Sequence, residues 1–298
     1  MKKTLLALAL ATGLISFAGN AKAQFLYVSS VDGTIGKYDA TTGAAINTSF
    51  ITGLLLPFSL ALSGNDLFVA NFGNNAIGKY DATTGAAINA SFITGLNIAD
   101  SIAISGNNLF VADAGSDAIG KYDATTGAAI DASFIILNNF GFDLDIGLSG
   151  NNLFVSSANL TIGKYDATTG AAINASFITG AGGPIGLSAN DLFVSDFVDT
   201  IGKYDATTGA AIDELFITAL GGPSSVALFG NDLFVSNIDG NSVGKYDATT
   251  GAAINDSFVI GLNGPRGIAI GVVPEPSTYA LLLLGGAISL WALRRRNA

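Results

Sequence analysis

The residues of this chain whose types and spacing suit chemistry are carboxylates and amides in short loops. Asp113, Asp117, Asp196, Asp199 and Asp239 stand among Asn, Gly and Ser, and Phe72 and Phe197 occupy segments of the same kind. Carboxylate and amide oxygens are the ligands Ca²⁺ prefers, and flat aromatic faces suit sugar rings. These seven residues are therefore the candidate ligand-binding set; Ca²⁺ is the ion they would suit, whether a metal is held stays open, and no other cofactor is implied. The same residue types also build ordinary turns. Other chemistries are excluded by composition. The 298 residues include no histidine and no cysteine, so His general bases, Ser-His-Asp triads, thiol nucleophiles and Cys/His zinc sites have no members. Acids outnumber bases 23 to 13, against nucleic-acid binding.

The elements that must position these loops are set by a repeat. The string GKYDATTGAAI occurs six times without substitution, beginning at Gly36, Gly78, Gly120, Gly163, Gly202 and Gly244, at intervals of 39 to 43 residues. That period belongs to propeller blades. Each unit reads as four short strands separated by turn residues; in the second unit these are 59–62, 67–70, 76–81 and 87–93. Leu-Phe-Val-type segments number six, and so do the inner-strand candidates 59–62, 101–104, 144–148, 185–188, 225–228 and 267–270. The predicted fold is all-β: a six-bladed β-propeller of four-stranded antiparallel blades over residues 24–272. Its ring closes when 267–270 pairs beside 25–29, which removes an open sheet edge.

Within each repeat, Asp39, Asp81, Asp123, Asp166, Asp205 and Asp247 are expected to cap the turn that follows, and a glycine such as Gly85 to close it with positive φ. The neighbouring lysines, Lys37 through Lys245, are expected to face solvent or pair with these aspartates; a ring of six lysines binding an anion is the alternative. The copied Asp-Ala-Thr-Thr-Gly and Ser-Gly-Asn loops fall on one face of the propeller. The loops that differ between units, including those of the seven candidates, fall on the other, and loops at one end of a rigid scaffold are where binding usually resides.

The ends lie outside the fold. Lys2 and Lys3 precede an apolar run over 5–17, and Ala21 and Ala23 are the small residues a signal peptidase reads, so 1–23 is expected to be a cleaved signal peptide. At the other end, Pro274-Glu275-Pro276 is followed by an apolar stretch over 279–293 and by Arg294, Arg295 and Arg296. The arginines would keep that tip cytoplasmic while the helix inserts transiently in the inner membrane. Without both segments the body has 7 basic and 22 acidic groups, a net charge of −15. A field of that sign repels polyanions unless divalent cations intervene.

This C-terminal pattern resembles the PEP-CTERM sorting signal. The resemblance implies an exosortase that cuts near Pro274 to Pro276 in residues 273–298, and export to the periplasmic side of the inner membrane, then to the cell surface or beyond. In the body, the run from Ser101 to Asp113 (SIAISGNNLFVAD), followed by Ile119-Gly120-Lys121-Tyr122-Asp123, resembles NHL-repeat and gluconolactonase-like propellers. That likeness implies a fold and not an activity. Three functions are open. The favoured one is a non-catalytic binding module, monomeric in its body, that meets extracellular polysaccharide or surface proteins. A metal-dependent gluconolactonase-like hydrolase or lyase is the second, weakened because Glu214 and Glu275 are the only glutamates. A passive coat or spacer is the third.

Overall fold

The computed structural model describes residues 24–137, 145–157, 159–196 and 198–272. Over these residues the chain forms six four-stranded antiparallel sheets arranged as a ring. Blade 2 has its strands at Pro57–Ser63, Asp66–Asn71, Ala76–Asp81 and Ala87–Ile93, from the axis outwards. Blades 3 to 6 repeat that order, and their innermost strands are Ala99–Ser105, Ile146–Ser149, Ile185–Leu187 and Pro223–Phe229. Blade 1 is made from both ends of the body. Pro265–Val272 pairs with Gln24–Ser30, with Leu26 opposite Ile270 and Val28 opposite Ile268. This is the closure the sequence predicts. The helical content among the described residues is two single 3₁₀ turns, Phe72–Asn74 and Ala114–Ser116, each ended by a left-handed residue, Asn75 or Asp117.

The core lies between blades. Six clusters of buried side chains each join one blade to the next; one combines Phe68, Ile77 and Ile93 of blade 2 with Leu109, Val111 and Tyr122 of blade 3. The second strand of a blade is sandwiched on both sides, which is why it reads as the continuous apolar run Leu-Phe-Val instead of an alternation. In every blade the aromatic of that run meets the aromatic of the outer strand, as Phe110 meets Phe134 at 5.8 Å.

The copied string is an interblade clamp, and its lysine departs from the sequence expectation. Lys37, Lys79, Lys121, Lys164 and Lys203 are buried, and each donates from Nζ to the alanine carbonyl in the turn of the following blade, at 2.9–3.1 Å. The ammonium also lies near both aromatics of its own blade; for Lys121 the ring centres are 5.5 and 4.7 Å away. Lys79, Lys203 and Lys245 add Asp66, Asp191 and Asp232. These lysines therefore neither face solvent nor form an open anion-binding ring. The neighbouring blade covers them, a placement that cannot be read from one repeat alone. From the other side, the turn seats on the preceding blade. A Cβ on Gly127 would lie 2.3 Å from the carbonyl oxygen of Phe92.

The aspartates cap these turns as expected. Asp123 Oδ1 accepts from the amides of Thr125 and Thr126 and from the Thr126 hydroxyl, and Asn107 donates to Oδ2. The amide and hydroxyl of the second threonine hold the carboxyls of Asp123, Asp166, Asp205 and Asp247 below the usual carboxylate range. At Asp39 and Asp81 burial pulls the other way, but the same bonds outweigh it.

The outermost strands face solvent. Each exposes one isoleucine of the repeat, Ile46, Ile88, Ile130, Ile173, Ile212 or Ile254. Each is also bulged, and at the bulge an Asn or Asp side chain accepts from the amide two residues on, as Asn89 does from Ser91 at 3.0 Å. A donor at the free edge is thereby occupied from within, a device that blunts edge-to-edge pairing.

Candidate functional site

The loops between second and third strands and the links between blades meet on one face. Leu54 donates to the Gly33 carbonyl, Gly73 to Leu55, and Leu137 to Asp117. Each link thus bridges the loops of two neighbouring blades. At the centre of this face, where the innermost strands begin, is a cavity of about 60 Å³. All six blades line it. The same register position contributes Gly267, Ser59, Ser101, Asp145, Pro184 and Ser225, and the residue before it contributes Arg266, Phe58, Asp100 and Ser224.

The inner ring holds itself together across blades. Ser59 Oγ accepts from the Ile102 amide at 3.2 Å and Ser101 Oγ from Ile146 at 3.3 Å. Asp145 Oδ2 accepts from Ile185 at 2.7 Å, and Ser225 Oγ from Ile268 at 3.3 Å. Asp145 is the centre of this belt. Its Oδ1 accepts from the Ser101 hydroxyl at 2.5 Å and from its neighbour's amide at 2.9 Å. Burial raises its carboxyl above the usual range, opposed by the bonds from Ser101, Ile185 and Ile146.

The opposite wall is cationic. The Arg266 guanidinium lies 4.6 Å from the centre of the Phe58 ring, and Phe58 stacks on Phe72 at 4.4 Å with 19° between planes. Arg266 Nε is sealed from solvent and has no hydrogen-bond partner. In ring order blade 4, with Asp145, stands across the axis from blade 1, with Arg266. The pocket is therefore polarised, with an acceptor wall, a guanidinium wall and an aromatic face beside the latter.

The seven sequence candidates are distributed differently. Asp113 and Asp117 belong to blade 3, Asp196 and Asp199 to the blade 5 loop, and Asp239 to blade 6. Asp113 Oδ1 accepts from the amides of Asn97 and Ile98, and Asp196 Oδ1 from those of Val198, Asp199 and Thr200. Asp199 accepts from the Thr200 hydroxyl, and Asp117 holds φ +49°. Among the described residues no three acids gather as a metal-holding group. Phe72 is joined to the pocket through Phe58. Phe197 lies outside the described residues, as do Ala21 and Ala23, Pro274, Glu275 and Pro276, the 279–293 stretch, and Arg294 to Arg296. No described helix is long and apolar enough to cross a membrane.

Sequence reasoning placed the loops that differ between units on this face but did not single out Phe58, Asp100, Asp145 or Arg266. The available signal was alignment of the six units at the residue entering each inner strand. That position points to the axis, and it varies where most of the unit is copied.

Comparison with known proteins bears on the C-terminal motif and on the fold of the body. Residues 272–296 match the PEP-CTERM protein-sorting motif. The motif marks an exported protein sorted through the membrane and processed by exosortase. No curated protein matches the chain. One chain of the crystal structure of the nidogen/laminin complex superposes with a TM-score of 0.65 at 15% identity, covering 83% of this chain and 98% of that one. A computationally designed protein, Ika8, matches at TM-score 0.49 and 15% identity, over 80% of this chain and 73% of its own. At such identity the first likeness establishes the propeller fold and nothing further.

Proposed function

We propose that this exported protein is a non-catalytic binding module of the cell surface or extracellular matrix, whose ligand seats in the axial pocket. One observation carries the reading. Six units that share one eleven-residue string without substitution differ at the residues entering their inner strands, and these line one pocket that unites Arg266, Asp145, Phe58 and three ring serines. A scaffold without a ligand has no need of that asymmetry.

In this reading residues 1–23 are removed after Ala23, exosortase cuts near Pro274 to Pro276, and the released body meets extracellular polysaccharide or a surface protein. The acids Asp113, Asp117, Asp196, Asp199 and Asp239, with Phe72, belong to the loops of this face and shape what approaches the mouth. The experiment is a glycan array and a surface-protein binding screen with the processed protein. Saturable binding that is lost when Phe58 and Arg266 are replaced supports the module; a flat response to both screens leaves a passive coat element. Cell fractionation with Pro274-Glu275-Pro276 changed to alanines tests the address, with retention in the membrane fraction expected.

A further inference from the structure

The charge of the body makes Arg266 unusual. Residues 24–272 contain seven basic side chains. Lys37, Lys79, Lys121, Lys164 and Lys203 are committed to backbone carbonyls of the next blade, and Lys245 to Asp232. Arg266 is the seventh. In a strongly acidic body no carboxylate forms an ion pair with it among the described residues. Its Nε is moreover a buried donor without an acceptor.

Its setting restricts what it would bind. The guanidinium lies over the Phe58 ring, itself stacked on Phe72, and its planar fork of donors matches a planar, two-oxygen acceptor such as a carboxylate. Phe58 presents ring surface beside that point, which suits the C–H face of a sugar. Across the axis Asp145 faces the same cavity as an acceptor for hydroxyl donors. The cavity, about 60 Å³, has room for one end of a ligand. The net charge of the body also opposes a polyanion lying along its surface.

We infer that the axial pocket takes the carboxylate of a uronic-acid unit at the end of an acidic polysaccharide, with Arg266 as the recognition residue. The assignment rests on the binding-module reading and narrows it. The carboxylate meets the outer edge of the guanidinium, the sugar face lies against Phe58, and ring hydroxyls donate toward Asp145.

Calorimetric titrations of the processed protein with glucuronate, galacturonate, glucose and acetate test it. One of the two uronates should bind at least tenfold more tightly than glucose or acetate. Arg266→Gln should erase that preference at unchanged circular dichroism and melting temperature. Arg266→Lys, which keeps the charge without the planar fork, should retain part of it. Equal affinity for uronate and glucose, or an unchanged preference in Arg266→Gln, would overturn the role of Arg266 while leaving a sugar-binding module. Acetate binding as tightly as uronate would overturn the sugar assignment. No binding to any probe, together with flat glycan and protein screens, would overturn both readings.

Discussion

Replacing Lys121 by Met tests the interblade clamp with little change of shape. Lys121 is 9% exposed, its Nζ lies 3.1 Å from the Ala167 carbonyl of blade 4, and among the described residues no ion pair holds it. Stranding that carbonyl costs about 1–3 kcal/mol. Losing the cation from between Phe110 and Phe134 removes roughly 0.5–2 kcal/mol more. A thioether against the same rings returns about 0.3–1.5 kcal/mol. The net expectation is a loss of about 2 kcal/mol, which for a body of this size lowers the melting temperature by roughly 4–8 °C. Calorimetry and urea titration measure both quantities. Lys79→Met serves as the control, because Lys79 makes the same clamp and also meets Asp66 at 2.9 Å. The Asp66 side chain is 38% exposed, so this bridge adds no more than about 1 kcal/mol. A Lys121→Met protein as stable as wild type, or a Lys79→Met loss several kcal/mol larger, would refute the claim that the carbonyl bond holds the blades.

The turns offer a matched pair. Gly127 and Gly106 both have positive φ, but a Cβ at Gly106 meets open space while one at Gly127 strikes the Phe92 carbonyl. Gly106→Ala should cost about 1 kcal/mol and Gly127→Ala at least twice that in urea titrations. Acid should also weaken the fold. The six capping aspartates are held below the usual range, so the folded state binds fewer protons than the unfolded one. Their stabilisation is complete above about pH 4 and is lost as pH falls through their lowered values. Asp145 runs the other way, since its raised carboxyl makes stability decline as pH climbs from about 4 through its folded value; Asp145→Asn should flatten that decline in urea midpoints measured across pH. At the perimeter, Asn89→Ala frees the Ser91 amide, and sedimentation at rising concentration should show self-association absent from the wild type.

The blade count and the closing strand were legible because the signals repeat six times. The same Asp, Gly and Leu-Phe-Val appear in register, and a chain that begins on a second strand and ends on a first admits one way of removing its free edge. The lysines were not legible, because whether Lys121 is covered depends on a blade whose turn supplies Ala167, 46 residues away in sequence. The site was half legible. Its face followed from which loops differ, but Asp113 and Asp196 drew notice as acids in loops, where the structure uses them to hold amides. Arg266 and Asp145 were hidden in plain positions at strand entrances, where only the axis brings them together.

Because the clamp is built from the same eleven letters in every unit, it recognises a neighbour without recognising which neighbour. A turn from any unit fits the seat on any other, so the cyclic order depends on connections too short to reach elsewhere, such as 52–56 and 94–98. Two chains emerging side by side offer one another equally good seats, a hazard of misassembly known for repeated domains. Folding in order of emergence, first unit first, limits that choice, yet the circle stays unfinished until its final strand arrives. The last strand of the body to be made is therefore the one that turns a string of interchangeable parts into a single object.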